Sequence, residues 1–331
     1  MAAKIRVIQY GLGPIGCAMA RHVIERDGIE LVGGVDVDPA KIGKDLGEVI
    51  GAVRALGLPV GRTLGEILAR GKADVVLHTT NSYFDLFQSQ ILEVLRAGLD
   101  IVSTSEELSF PWIDHPVPAA EIDKAAKQYG KTVLGTGVNP GFLMDTLPLS
   151  LTGICQRVDR IEVRREQNAS KRRGPFQAKI GSGMTVEQFQ AKMAEGRMGH
   201  VGLPESVAAI FKTLGKGLVR YESSVEPVLA DRPVKTDHFE VPPGRVRGLK
   251  QTARGYTCMG EFVKLVFLAA LDWECDQDTV AIAGRPDLRV TLQGTNGDLA
   301  TIAIAVNAIP RVHAAAPGLV TMADLPVVTA W

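Results

Sequence analysis

The stretch IRVIQYGLGPIG, Ile5 to Gly16, decides how this chain is read. An apolar run, Ile5, Val7 and Ile8, leads into three glycines, Gly11, Gly13 and Gly16, and Ile15, Ala18, Met19, His22 and Val23 follow at helical spacing. A second apolar run, Ile29 to Val35, then ends in Asp36, twenty residues after Gly16. A GxGxxG string alone is weak in a chain with 35 glycines, but strand, turn, helix, strand and acid in this order make a βαβ unit for a dinucleotide. Gly11 permits the tight turn, Gly13 lets the backbone approach a pyrophosphate, and Gly16 lets the helix pack on the strand, while Leu12, Pro14 and Ile15 complete the turn. The helix N-terminus presents free amides and a positive dipole to phosphate. Asp36 lies where a carboxylate accepts hydrogen bonds from an adenosine ribose, which favours NAD(H). Lys41 and Lys44 in DVDPAKIGKD could offset its charge, so NADP(H) is tolerated as well.

Apolar runs and helical patterns continue to alternate outward from this unit. DVVLHTT (Asp74 to Thr80), a helix around Phe84 to Ala97, DIVSTS (Asp100 to Ser105), a helix around Pro118 to Tyr129 and TVLGTG (Thr132 to Gly137) predict an N-terminal Rossmann domain whose parallel sheet has helices on both faces. After about Ser150 the apolar residues alternate with period two, as in Leu288, Val290 and Leu292 or Val263, Leu265 and Phe267. Helical stretches lie at Val186 to Glu195 and Glu205 to Leu214. The expectation is an α/β chain: residues 1–147 dinucleotide-binding, 148–294 an α+β domain with an open mixed sheet, and a helix from Gly297 with the rest of 295–331 returning to the first domain.

Composition excludes several classes of function. With 37 basic and 37 acidic residues the formal charge is zero, which gives no electrostatic reason to expect nucleic acid or an anionic membrane, and the Lys171, Arg172, Arg173 cluster reads as a solvated loop. No apolar stretch reaches the length of a membrane span, and the N-terminus runs from Met1 straight into a strand, so a cytoplasmic location is expected. Four scattered cysteines without CxxC pairing and six histidines without HExxH spacing suggest neither a disulfide framework nor a metal site.

Three polar strand ends, His78 to Ser82, Ser103 to Glu107 and Gly135 to Asn139, should open on the carboxyl edge of the parallel sheet, where ligands bind in this architecture. His78, Thr79, Thr80 and Asn81 are expected against the ribose or pyrophosphate, or else in a purely structural capping role. Asn139 is expected either to bond the nicotinamide carboxamide or the substrate, or only to start an Asn-Pro turn, and Gly141 is expected to open a helix. Glu106 and Glu107, in STSEELSFP, stand beside Leu108, Phe110 and Trp112, which can exclude water. A carboxylate there opposes the negative charge that builds on a carbonyl oxygen during its reduction. It stabilises an iminium cation instead, and exchanges protons as that cation forms and hydrolyses, so the pair points to C=N chemistry.

Together these stretches resemble the 2,4-diaminopentanoate dehydrogenase family and the related native NAD(P)-dependent amine dehydrogenases of the dihydrodipicolinate reductase-like group. The resemblance spans nearly the whole chain and rests on GLGPIG, VDVDPAKIGKDLG (Val35 to Gly47), SEELSFPW (Ser105 to Trp112), GTGVNPGFLMD (Gly135 to Asp145), NASKRR (Asn168 to Arg173), GHVGLPES (Gly199 to Ser206), GDLAT and VNAIP. It implies a homodimer, and a glutamate of SEEL facing the reacting nitrogen of a small ketone, aldehyde or amine, with ammonia as co-substrate. Glu106 is favoured over Glu107, since it falls near where related sugar and homoserine dehydrogenases place their catalytic lysine. Members that act on diamino acids hold the substrate carboxylate on the second sheet, and Arg165, Gln167 and Asn168 are the matching candidates here, with Glu166 expected on the opposite face. Asn296 stands where the resemblance leads one to expect a histidine, which points to a substrate without a carboxylate. Two alternatives stay open: a dihydrodipicolinate reductase-like C=N reductase, which calls for a basic pocket, and an NAD(H)-binding sensor, which needs no acid at the nicotinamide.

Overall fold

Why the first-domain strands read as unbroken apolar runs is plain from the two cores they separate. In the computed structural model, which describes residues 3–196 and 198–331, successive strand residues point to opposite faces of one sheet. Val7, Val75, Leu77, Val102 and Leu134 join one buried cluster, and Ile8, Val76, Ile101 and Val133 join the other. With both faces covered by helices, no position is left for a polar alternation.

The elements follow in the order β1 (Ile5–Tyr10), α1 (Pro14–Ile24), β2 (Ile29–Val35), α2 (Leu46–Ile50), α3 (Leu64–Leu68), β3 (Val75–His78), α4 (Phe84–Arg96), β4 (Asp100–Ser103), a 3₁₀ turn (Glu106–Ser109), α5 (Pro116–Tyr129) and β5 (Thr132–Gly135). The chain then builds a second compact unit, Leu143–Thr295, before Asn296–Trp331 rejoins the first. That second unit holds α6 (Thr146–Thr152), β6 (Arg157–Asn168), α7 (Gly174–Lys179), α8 (Val186–Ala194), α9 (Leu203–Thr213), β7 (Arg220–Leu229), the short pair β8 (Val234–Lys235) and β9 (Glu240–Val241), β10 (Val246–Thr257), β11 (Gly260–Ala270), β12 (Gln277–Arg285) and β13 (Leu288–Gln293). The returning segment adds α10 (Gly297–His313) and β14 (Gly318–Val320).

The first sheet is all parallel with the order β14-β5-β4-β3-β1-β2. Strand order reverses beside β1: the chain steps to β2 on one side and then to β3 on the other. A crevice for a ligand opens at such a point, outside the carboxyl ends of β1 and β3. Helix α10 supplies Ile302, Ala305, Val306 and Ile309 to the same buried cluster as α1. β14 is a short edge strand that periodicity did not reveal.

In the second unit the sheet order is β13-β12-β6-β11-β10-β7, antiparallel except for the β6–β11 pair. One face carries Val163, Leu265, Val280 and Ala253 into a core with Val207, Ile210 and Phe211 of α9. The other face carries charge, with Glu162 meeting Arg160 and Arg164 along its own strand and Lys264 on neighbouring β11. β7, RYESSVEPVL, is a largely exposed edge strand whose weak apolar alternation hid it from sequence reading.

One local expectation is corrected. Residues 139–145 form turns, and the helix expected from Gly141 starts only at Thr146. Gly141 has φ +118°, outside the helical region, and a Cβ there would lie 2.5 Å from the Gly137 nitrogen. Asp145 caps the helix instead, accepting from the Thr146 amide.

Candidate active site

The glycine turn is built as a cradle. Gly11 has φ +91°, and a Cβ on it would stand 2.6 Å from the Thr79 carbonyl oxygen; one on Gly16 would stand 2.0 Å from the Gly11 oxygen. Both positions are closed to any side chain. Gly13, by contrast, has nothing within 4 Å of where its Cβ would be, and it precedes α1 without a side-chain cap. Open space over an uncapped helix N-terminus fits a bound pyrophosphate. Pro14 and Ile15 begin the helix, Pro14 exposed and Ile15 packed against the core.

Gln9, wholly buried, holds this turn from below. Its Nε2 lies 2.9 Å from Thr79 Oγ1, 3.1 Å from the Gly11 oxygen and 3.2 Å from the Leu77 oxygen, and the Thr79 hydroxyl donates to the Gly11 oxygen at 2.9 Å. Thr79, expected against the cofactor, thus turns its hydroxyl inward to support the turn, and His78, expected there too, is wholly buried with its ring nitrogens facing Ser103 and Gln90. Thr80 and Asn81 are exposed at the same edge.

Asp36 accepts from the Leu12 amide at 2.8 Å, the Asp38 amide at 2.9 Å and Lys41 Nζ at 3.2 Å. Leu12 therefore gives its N–H to the acid, and its side chain lies in the core. Burial raises the affinity of the Asp36 carboxyl for its proton, but the two amides and the Lys41 ammonium outweigh it and hold the pKa below the usual value. Lys41 is held protonated in turn, the pull of Asp36 and Asp38 exceeding the effect of desolvation. Lys44 pairs weakly with Glu48 at 3.9 Å instead.

The two acids beyond β4 have different surroundings. Glu107 Oε2 accepts the amide of Phe84, the first residue of α4, and lies 3.3 Å from His115 Nε2, whose ring stacks on Phe84 at 4.7 Å. This carboxylate caps a helix. Glu106 opens the 3₁₀ turn, half-buried, with its carbonyl accepting the Ser109 hydroxyl at 2.7 Å. The turn sits tightly on β5, for a Cβ on Gly135 would come within 2.5 Å of Leu108 and Ser109 backbone atoms. Leu108 is buried, and Phe110 meets Trp112 edge to face at 5.1 Å. The two strand-end loops are stitched together as well, with the Thr104 amide donating to the His78 oxygen and the Glu107 amide to the Ser82 oxygen. Asn139 is buried in the turn after β5, preceding a cis proline.

In the second unit Arg165 is enclosed on the core face of β6, directly across from Asp278 on β12 and Phe267 on β11. Its Nε lies 3.7 Å from Asp278 Oδ1, and its Nη2 points at the Thr295 oxygen at 3.4 Å. Burial pushes the Asp278 carboxyl up against the pull of Arg165. Gln167 lies on the same face, buried. Asn168 falls on the other: its amide donates to the Trp273 oxygen and its oxygen accepts from Ser170 N, so it does not join Arg165 and Gln167. Glu166 points away from Arg165 as expected, toward Arg164 at 3.5 Å. Asn296 caps α10 through the amides of Asp298 and Leu299. Among the described residues no cluster of His, Cys, Asp and Glu could hold a metal ion.

Sequence reading missed Gln9, His115, Ser103, Ser105 and Asp278. A polar residue inside the apolar strand IRVIQY was a usable signal for Gln9. The others meet their partners only through tertiary contact.

Comparison with known proteins places this geometry. The sequence profile of the 2,4-diaminopentanoate dehydrogenase C-terminal domain matches residues 142–331. The chain is 34% identical over 338 positions to 2,4-diaminopentanoate dehydrogenase of Acetoanaerobium sticklandii, covering 98% of this chain and 94% of that one. It is 23% identical over 350 positions to an amine dehydrogenase of Streptomyces virginiae, covering 97% and 96%. The solved amine dehydrogenase of Mycobacterium smegmatis has the same fold throughout, with a TM-score of 0.88 at 26% identity over 99% of this chain and 98% of that one. Matched by that family's profile over residues 142–331 and 34% identical to a named member along nearly its full length, the chain belongs to the 2,4-diaminopentanoate dehydrogenase family.

Proposed function

We propose that this chain is an NAD(P)-dependent amine dehydrogenase that joins ammonia to a small ketone or aldehyde and, in reverse, oxidises the amine. The observation that carries the reading is the place of the acid pair, which we read as divided: Glu106 heads the 3₁₀ turn beyond β4, past the carboxyl end of that strand, and Glu107 beside it accepts the Phe84 amide and faces His115. Gly11, Gly13, Gly16 and the N-terminus of α1 would hold the pyrophosphate, and Asp36 the ribose. Asn139 is suited to the carboxamide or the substrate. Lys41 beside Asp36 makes NADP(H) acceptable along with NAD(H). When bound, the nicotinamide supplies or accepts the hydride.

The protonated carboxyl of Glu106 gives its proton to the carbinolamine hydroxyl, which leaves as water. The carboxylate that results stands beside the iminium nitrogen and offsets its charge. A lysine at this position would oppose that charge and favour an alcohol product. The Arg165 guanidinium is partly neutralised by Asp278, which suits a substrate lacking a carboxylate. One observation favours a second reading: among the described residues the buried Nη1 of Arg165 has no hydrogen-bond partner, and a carboxylate-bearing diamine, as in the relative's name, would provide one. Among the described residues no helix is long and apolar enough to cross a membrane, and a cytoplasmic homodimer is the proposed state.

The test is oxidation of NADH and of NADPH with ammonia across ketones, aldehydes and keto acids, repeated on Glu106→Gln. Ammonia-dependent turnover that Glu106→Gln abolishes while NADH still binds is expected. Turnover that survives in Glu106→Gln refutes the role of the acid, and a keto acid outperforming the matching ketone decides for the second reading.

A further inference from the structure

His78 ends β3 with its ring wholly enclosed, 5.7 Å from the ring of Tyr10 and 6.2 Å from that of Phe87. An aliphatic side chain would fill such a place without the cost of burying two polar nitrogens. Each nitrogen has a partner, however, and the partners favour one direction for the bonds. Gln90 Oε1 lies 2.8 Å and the Thr80 hydroxyl 3.0 Å from Nε2; with the amide oxygen turned to the ring, Nε2 carries the proton. The Thr80 hydroxyl donates to the same oxygen at 2.7 Å. Nδ1 is then bare and accepts the Ser103 hydroxyl at 2.8 Å. Ser103 Oγ in turn accepts the amide of Ser105 at 3.1 Å, and Ser105 Oγ lies 3.4 Å from Nδ1.

Ser105 is the residue from which the Glu106 turn starts, and the Leu108 amide closes that turn on the Ser105 oxygen. A single ordered chain of bonds therefore runs from Thr80, on the cofactor side, through the imidazole to the backbone next to Glu106. We propose that His78 is a positioning residue for Glu106, its one tautomer setting where the acid-bearing turn begins. The inference rests on the reading that Glu106 faces the reacting nitrogen. It assigns His78 no contact with substrate or cofactor. The buried part of this network, His78, Ser103 and Ser105, favours one arrangement, and a turn displaced by about 1 Å loses on the order of 100-fold in rate.

Two substitutions separate the halves of the ring. His78→Gln keeps a donor for Gln90 but no acceptor for Ser103; His78→Asn keeps an acceptor near the Nδ1 position. The expected result is a fall of at least about tenfold in kcat for His78→Gln, with the KM for NADH nearly unchanged, and recovery of most of kcat in His78→Asn. Ser103→Ala should repeat His78→Gln. Wild-type kcat in His78→Gln and Ser103→Ala, or equal damage to kcat and KM in all three, overturns the proposal. Should the variants fail to fold, nitrogen-15 spectra of the wild-type ring decide: a protonated Nε2 and bare Nδ1 support it, and the opposite tautomer overturns it. Glu106→Gln is measured beside them. If Glu106→Gln still aminates, the reading of Glu106 fails; if Glu106→Gln is inert while His78→Gln matches wild type, only the positioning role fails.

Discussion

Replacing Glu107 by alanine should cost stability and spare chemistry, the reverse of what a catalytic acid would do. Its carboxylate accepts one amide at the start of α4 and lies beside His115, with the side chain 17% exposed. A hydrogen bond to a charged group contributes about 1.5–3 kcal/mol, and loss of a helix cap about 1 kcal/mol, and here the two describe the same contact. Glu107→Ala is therefore expected to lose about 2 kcal/mol, and Glu107→Gln about 1 kcal/mol because the amide oxygen still accepts from Phe84. For a unit of this size that corresponds to a fall in Tm of roughly 4–8 °C for alanine and half of that for glutamine. Thermal unfolding followed by circular dichroism reads the Tm, and NADH consumption at room temperature reads turnover. Both variants should keep most of the wild-type kcat. An inert Glu107→Gln with an unchanged Tm would refute the division of the acid pair and give Glu107 the place assigned to Glu106.

Two further outcomes follow from charges whose settings are known. Burial lowers the His78 pKa to about 4, against an ordinary value of about 6.5, so on acidification the unfolded chain takes up a proton before the folded one does. The stability contributed is complete above about pH 6.5 and is lost as pH falls toward 4, about 3 kcal/mol in all. Chemical denaturation at several pH values should show a shallower decline in His78→Asn than in wild type; parallel declines would contradict the assignment. At the other end of the cofactor site, Lys41→Ala should raise the KM for NADPH about tenfold more than that for NADH, since only the phosphorylated ribose needs the ammonium. Equal changes in both constants would remove Lys41 from that role.

The amino-acid sequence by itself determined the α/β class, the glycine turn and its acid, and the family. Those signals are local: GLGPIG and Asp36 follow from the reach of one βαβ unit, and strands β1 to β5 announce themselves as short apolar runs between helical periods. The alternation in VRREQNAS was local too, and it correctly set Glu166 opposite Arg165. β7 and β14 escaped because an exposed edge strand and a three-residue strand carry too little periodicity to be seen. The helix expected at Gly141 failed for another reason, since that residue takes a positive φ with the Gly137 backbone and the Thr136 hydroxyl close against it. Only the tertiary structure decided what each polar group faces. Glu107 meets the N-terminus of α4 and the ring of His115, which reach it through folding alone. His78, Ser103 and Gln90 likewise come from three separate elements, and a hydrogen bond across such distances in the chain leaves no period or spacing for a reader to find.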